Sequence, residues 1–448
     1  MYAHAYLTRV MRYTYLMHIF FSGIGGSGIG PLALIAQQAG YEVSGSDKQD
    51  SEAISYLKAH GVTDIHIGQD EAAISAVHQA HPIDWFVYSS ALPKENPEHP
   101  ELNFVMSKGI RHSKRDEFLN QILSEKGLKL VAVAGTHGKS TATAMAVWLL
   151  KELGMPVSYL VGAKLGFAGS GALDPASSYF IYECDEFDRN FLAFQPVMSL
   201  ITGIAWDHHE VFPTFENYQL AFKEFIGQSE RTLLWKEDSE LLGLRPAENC
   251  IILDSTDESL NKIHLSGLVN RQDAWLVICA AHELTKEPVE KLIEIINDFP
   301  GLARRMELIA PGLYSDYAHN PEKIAGAMQT AMEMAKEKGQ KVVVVYEPLT
   351  NRRMHFTRKQ HKDIFMGASA IYWVPSYLAR EDPMQQVLTP AELIQELNPA
   401  LKEIAKPMEL NEQLKAVIKS HMDVGDLVVA MSGGGGHSLD EWLRKEFK

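Results

Sequence analysis

The sequence predicts an α/β protein of three domains, and three observations carry that prediction. Apolar runs of four to seven residues alternate with amphipathic stretches of ten or more, the pattern of strands interleaved with helices. Two glycine-rich turns each stand between a predicted strand and a predicted helix. The chain has 448 residues, 46% hydrophobic and 22% charged, enough at about 150 residues per domain for three full-sized cores, and this excludes a disordered or collagen-like chain.

The first block, 17–127, opens with a strand at 18–22, a glycine turn, a helix at 31–39 and a strand at 41–44. The second, 128–310, opens with a strand at 129–134, another glycine turn and a helix at 141–153. The third, 311–448, contains a strand at 341–346 and a closing strand at 426–431. Residues 124–127 and 310–312 are expected to be the hinges. Residues 1–16, MYAHAYLTRVMRYTYL, are aromatic and weakly basic but lack a clean apolar core and a small-residue cleavage site. They read as an N-terminal tail, or as sequence upstream of a start at Met17, rather than as a signal peptide.

Charge narrows the partners. With 42 basic and 57 acidic side chains the net charge is −15, so a general affinity for nucleic acid or anionic lipid is not expected. An anionic ligand must be captured locally, by backbone amides and a few cations. Cys184, Cys250 and Cys279 stand far apart without CxxC spacing, which excludes a disulfide scaffold and a zinc ribbon and implies a reducing, cytoplasmic setting. No apolar run approaches the roughly 20 residues that span a bilayer.

The first turn is Gly23-Ile24-Gly25-Gly26-Ser27-Gly28, with Asp47 closing the next strand nineteen residues further on. Glycines there let the chain turn tightly and a diphosphate approach free amides at a helix N-terminus, while Asp47 would accept from a ribose or base. A purely structural glycine turn is the alternative. The second turn, Gly135-Thr136-His137-Gly138-Lys139-Ser140-Thr141, is more specific. Its amides can ring a triphosphate, Lys139 can neutralise the outer phosphates, and the hydroxyl of Ser140 or Thr141 can ligate Mg²⁺. Val133 stands where the usual phosphate-loop pattern has its first glycine. A protein with both turns is expected to bring a nucleotide-carried substrate to a nucleoside triphosphate.

Carboxylates and histidines follow at predicted strand ends. The strand at 179–182 leads into Glu183-Cys184-Asp185-Glu186-Phe187-Asp188, and the strand at 198–204 into Trp206-Asp207-His208-His209-Glu210. In a parallel sheet the crevice lies at the carboxyl ends of strands, so both clusters are expected to point towards Lys139 and to hold Mg²⁺. A zinc pair at His208 and His209 is disfavoured by the absence of HExxH or CxxC partners. His60, His81 and His99 are expected at the surface. Asn270 and Asp273 open a predicted helix, where Asn270 is equally readable as a cap. Arg305 is either part of a solvated face or a phosphate contact. The third block supplies Asp316, His319 and the prospective carboxylate clamps Arg353 and Arg380.

Taken together, GIGGSGIGPLA with SGSD, AGTHGKST, YECDEFD, WDHH, FPGLARRME and SDYAHNP, in this order from Met17 onward, resemble the Mur ligases, which build the peptide stem of bacterial peptidoglycan. The resemblance implies an N-terminal Rossmann-like domain for a UDP-sugar, a central P-loop-type ATP domain and a C-terminal Rossmann-like domain that receives the amino acid. By position it implies Gly23, Gly25, Gly26, Ser27, Gly28, Asp47, Ser89 and Ser90 for the UDP-sugar. The ATP loop is then 135–141, with Ser140, Glu183 and His208 for Mg²⁺. Asn270 falls on the adenine side, Arg305 and Asp316 at the nucleotide, and His319 at the substrate loop. Ser140 replaces the usual threonine, Asp273 stands where the family's second asparagine falls, and Val269 where a histidine commonly precedes the first.

The implied activity is ATP-dependent amide ligation, with L-alanine as amine and UDP-N-acetylmuramate as acid, by a monomer or homodimer. Lys139, Glu183, His208 and His319 are its expected chemical residues. The segment 377–381 resembles alanine-adding members, whereas WDHHEVFP and MSGGGGH lean towards members that attach a ready-made tripeptide. A nicotinamide-dependent oxidoreductase would leave the Lys139 turn unexplained, and a non-catalytic UDP-sugar sensor would have no use for Lys139, Ser140, Glu183 and His208. Folate-polyglutamate and cyanophycin synthetases share the central domain but do not account for the first turn.

Overall fold

The computed structural model describes residues 16–208, 211–244, 249–378, 381 and 384–447. The expected tail, apart from Leu16, lies outside the described residues, as do His209, Glu210 and Arg380. The chain forms two compact units, the first running up to Leu128 together with Gly171–Pro175, the second holding Lys129–Ser170 and the chain from Ala176 onward.

The first unit is built on a five-stranded parallel sheet, in the order Asp64–Ile67, Glu42–Asp47, His18–Ser22, Trp85–Tyr88, Arg111–Lys114. His18–Ser22 is buried along its whole length, as a central parallel strand covered on both faces must be. The second strand lies on one side of it and the fourth on the other, so the order reverses at its carboxyl end, where the turn at Gly23 begins. The helix Ile29–Gln38 starts two residues before the expected 31, because Gly28 is its N-cap, and it buries Ile29, Leu32, Ala33, Ile35 and Ala36. Of the histidines expected at the surface, His60 is exposed and His81 partly so, but His99 is buried. It directly precedes Pro100 at the start of the helix Pro100–Lys108, whose Glu101 and Leu102 turn into the same interior.

In the second unit, parallel strands run in the order Cys250–Leu253, Thr232–Trp235, Met198–Ile201, Lys129–Ala134, Tyr179–Glu183, Ser158–Leu160. The order reverses at Lys129–Ala134, which carries the second glycine turn and the helix Lys139–Glu152. That helix begins at Lys139 rather than 141, since Gly138 caps it at φ +76°, a left-handed conformation suited to glycine. The strand at Met198 ends at Ile201, short of the expected 204. Beyond it Thr202 Oγ1 donates to the carbonyls of Ala134 and His137, turning the chain across the phosphate loop.

The same unit contains a six-stranded sheet, in the order Glu307–Ala310, Leu313–Asp316, Leu427–Ser432, Val342–Glu347, Ala368–Trp373, Ala405–Pro407, parallel except for its first pair. Alternation separates its two faces: Val342, Val344 and Tyr346 pack on one side, Val343 and Val345 on the other. Residues 310–312 form the turn of the antiparallel pair, with Gly312 at φ +84°, so this sheet opens at Glu307 and the expected hinge is a hairpin. The other expected hinge, 124–127, is the end of the helix Arg115–Lys126, closed by Gly127 at φ 63°. The three cysteines are free thiols. No helix among the described residues is long and apolar enough to cross a membrane.

Candidate active site

In the first unit the glycine turn is tied to the neighbouring strand. The amides of Gly23 and Ile24 donate to Ser46 O at 2.8 and 2.9 Å, and that of Gly26 to Gly23 O at 3.0 Å. Gly25 N–H donates to Asp47 Oδ2 at 2.8 Å, so the expected ribose acceptor binds the turn itself. Arg115 lies against Gly28, where an added Cβ would strike its Nη1. Gly26 and Ser27 are exposed, Ser89 is half-buried and Ser90 buried at the head of the short helix Ala91–Glu95. Below the turn, Ser22 Oγ donates to Glu101 Oε2 at 2.6 Å. Burial pushes the Glu101 carboxyl up to about 7, with Ser22 pulling the other way. Arg115 opens the helix Arg115–Lys126 and Glu101 stands second in Pro100–Lys108, both far along the chain from the glycines, so nothing in the sequence ties either to the turn.

In the second unit Lys139 is drawn into a carboxylate cage. Its Nζ donates to Glu186 Oε2 and to Gly135 O, both at 2.6 Å, with Asp185 Oδ1 at 3.9 Å. Burial disfavours the ammonium, but Glu186 and Asp185 outweigh it and hold Lys139 firmly charged. Glu186 is fully buried, and its carboxyl is raised by desolvation and pulled back by Lys139. Tyr218 OH stands 3.4 Å from Glu186 Oε1 and 2.7 Å from Thr136 Oγ1, which also donates to Ala205 O at 2.7 Å. His137 is held neutral, its ring lowered to about 4 by burial and by the charges of Lys139 and Lys323.

Two groups of oxygens flank the lysine. Ser140 Oγ donates to Glu183 Oε1 at 2.7 Å, while Glu183 Oε2 accepts from Gly162 N at 2.7 Å. Asp185, Glu186 and His208 offer ligand atoms all within 4.8 Å of one another. Of the expected metal residues, Ser140 and Glu183 are therefore together and His208 belongs with Asp185 and Glu186. Oxygen-rich sets with one imidazole fit Mg²⁺ better than a softer metal. Asp185 and Glu186 lie in the acidic cluster recognised from sequence; the 3-10 turn Phe187–Ala193, with Asp188 and Arg189 at positive φ, is the local feature that follows them.

The third sheet supplies the opposite wall. Asp316 is not turned outward: Oδ1 accepts from Ala318 N and Oδ2 from Met306 N, both at 2.9 Å, so it shapes the loops that carry Arg305 and His319. His319 Nδ1 bonds Tyr317 O at 2.7 Å, and burial with the charges of Lys323 and Arg353 lowers the ring well below its usual range. Asn320 Nδ2 donates to Asp207 Oδ2 at 3.2 Å. Asp207 is lowered to about 2, desolvation being outweighed by His208, Lys323 and Arg353. Lys323, two residues past Pro321 and missed in the sequence, is lowered to about 8 by desolvation and by the charges of Lys139 and Arg305. Among the described residues none accepts from the buried Nη1 of Arg353. Asn270 Nδ2 donates to Ser266 O at 2.7 Å, and Asp273 lies under Gly138.

A phosphate loop at the switch point of one parallel sheet, faced by cations from another, defines a nucleotide-using α/β protein. Residues 18–126 match the Mur ligase family, catalytic domain, and residues 304–434 the Mur ligase, glutamate ligase domain. The UDP-N-acetylmuramate–L-alanine ligase of a Nocardioides species is 30% identical over 94% of each chain, and that of Renibacterium salmoninarum 29% identical over 94% of this chain and 93% of its own. The chain belongs to the Mur ligase family. Its fold is shared with the solved UDP-N-acetylmuramate-alanine ligase MurC of Thermotoga maritima, at a TM-score of 0.74 and 21% identity over 96% of this chain and 98% of that one.

Proposed function

We propose that this chain is an ATP-dependent ligase that joins L-alanine to the carboxylate of UDP-N-acetylmuramate in the cytoplasm, through an acyl phosphate. The observation that carries the reading is the caged ammonium of Lys139 on its loop, faced in the same compact unit by Asn320, Lys323 and Arg353. The relatives' names supply the substrates. Residues 17–127 hold the UDP-sugar through the Gly23–Gly28 turn, Arg115 and the Ser89–Ser90 segment; 128–310 hold ATP; 311–448 receive the amine.

A carboxylate is a poor electrophile. Its oxygen attacks the γ-phosphorus, ADP leaves, and the amine then attacks the acyl carbon, expelling phosphate and losing a proton. Both steps spread negative charge over oxygens, so fixed cations are the main catalytic resource. With nucleotide bound, Lys139 exchanges Glu186 for phosphate oxygens, while Lys323 and Arg353 face the same charge from the third sheet. Mg²⁺, held by Ser140 with Glu183 and by Asp185, Glu186 and His208, would neutralise phosphate charge. His319, neutral and buried, lines the side from which the amine arrives.

The test is phosphate release from ATP and UDP-N-acetylmuramate with L-alanine, glycine, L-serine or the stem tripeptide offered separately, with product mass recorded. Release with L-alanine is expected. Release with the tripeptide alone would replace this reading with tripeptide attachment, the activity towards which MSGGGGH and WDHHEVFP lean.

A further inference from the structure

Asp273 occupies an unusual place for an acid. It lies in the helix Leu268–Thr285 and is 1% exposed, and among the described residues no donor reaches its Oδ2. Its carboxyl faces the phosphate loop so closely that a Cβ added to Gly138 would meet Oδ1 at 2.5 Å and Oδ2 at 2.7 Å. A loop built to receive a polyphosphate thus has a carboxyl group as its floor.

An ionised carboxylate there would be desolvated, unpartnered and next to the ligand's own negative charge, three costs of the same sign. A neutral carboxylic acid incurs none of them and can donate its proton to an oxygen of the loop or the ligand. We propose that Asp273 is a positioning residue that supports the loop at Gly138 as a neutral acid, and that the loop takes up ATP only in that state. This rests on reading the loop as the ATP site.

The surrounding charges agree. Arg305 favours ionisation, but burial dominates and pushes the Asp273 carboxyl up to about 8. The loop's own Lys139 is turned to Glu186 and Gly135 O, and His137 is uncharged. On its own helix, Arg271 is engaged by Glu333 and by Leu265 O. Elements packed against this helix also carry Lys151 and Glu152, Glu258 and Lys262, Glu290, Lys291 and Glu294, and Lys323 and Glu333, yet beside burial the one charge that shifts Asp273 is that of Arg305.

If only the neutral form is competent, affinity falls with its population, which for a group titrating near 8 means a loss of roughly tenfold between pH 7 and pH 9. ATP binding with Mg²⁺, without UDP-sugar so that no turnover occurs, is measured across that range by calorimetry for the full chain and for Asp273→Asn. Lys323, lowered to about 8, loses its charge over the same range in both proteins. Beyond that shared loss the wild type is expected to weaken about tenfold, and the asparagine variant, which cannot ionise there, to bind as the wild type does at pH 7 and to show the shared loss alone. A level wild type, or a variant that keeps the wild-type loss, overturns the proposal. So does a variant that binds UDP-N-acetylmuramate normally but not ATP at pH 7. Should the asparagine variant not fold, Lys323→Arg, which keeps its charge across the range, isolates the loss due to Asp273, and a level profile in that variant overturns the proposal. A wild type that binds the UDP-sugar but no ATP at any pH removes the ATP reading itself, and this proposal with it.

Discussion

Asn320 joins the third sheet to the second by donating from Nδ2 to Asp207 Oδ2 at 3.2 Å, while its Oδ1 accepts from Lys323 N at 2.9 Å. One side chain thus caps the helix Pro321–Lys338 and anchors it beside the residue preceding His208. The two functions separate by substitution. Asn320→Asp keeps the cap but sets a carboxylate against Asp207, so its melting temperature is expected to stay near wild type while turnover falls tenfold or more. Asn320→Ala loses both the cap, at about 1 kcal/mol, and turnover. Thermal melting alongside phosphate release checks the split, and equal activity in Asn320→Asp would show the contact to be incidental.

Lys139→Ala is expected to abolish phosphate release and leave UDP-N-acetylmuramate affinity unchanged. Lys139 and the Gly23–Gly28 turn lie in different compact units. Parallel loss of both activities, read by calorimetry and by phosphate assay, would contradict that division of labour.

Gly138 is confined by its φ of +76° and by the Asp273 carboxyl beneath it. Gly138→Ala is expected to weaken ATP binding at least tenfold, because the methyl group either displaces Asp273 or reshapes the loop. Unaltered ATP affinity in a folded variant would mean that the loop tolerates a shift there.

Glu101 gives a pH signature to the first unit. Its carboxyl titrates near 7 in the folded chain and near 4.5 in its ordinary state. Between those values the folded protein holds a proton that the unfolded chain has lost, so this residue makes stability fall as pH rises from 4.5 to 7, with no further change above. Glu101→Gln removes the slope. The variant is therefore expected to gain in melting temperature on the wild type as pH goes from 5 to 8, and a constant difference would refute the assignment.

Much of this was legible in sequence because strands at switch points are continuous apolar runs: 18–22 and 129–134 coincide with the observed strands. The helices after the two glycine turns start two residues before the expected 31 and 141, since the caps are Gly28 and Gly138 and carry no capping side chain. The turn at 310–312 resembles a hinge in composition, and only pairing of Glu307–Ala310 with Leu313–Asp316 makes it a hairpin. At the site, motif positions such as Lys139, Ser140 and Glu183 were readable. Lys323, Arg115 and Tyr218 were not, for they are ordinary helix residues whose importance comes from what the fold brings opposite them. The acids divide in the same way. Glu186 and Asp185 meet Lys139, whereas Asp47 and Asp316 spend their oxygens on backbone amides.

The most direct test of the acyl-phosphate route follows one oxygen. UDP-N-acetylmuramate labelled with ¹⁸O in its carboxylate is turned over with ATP and L-alanine, and the released phosphate is weighed by mass spectrometry. One labelled oxygen per phosphate is expected, because the carboxylate oxygen that attacks phosphorus leaves with it. Amide formed alongside unlabelled phosphate would contradict the route and place the activation chemistry elsewhere.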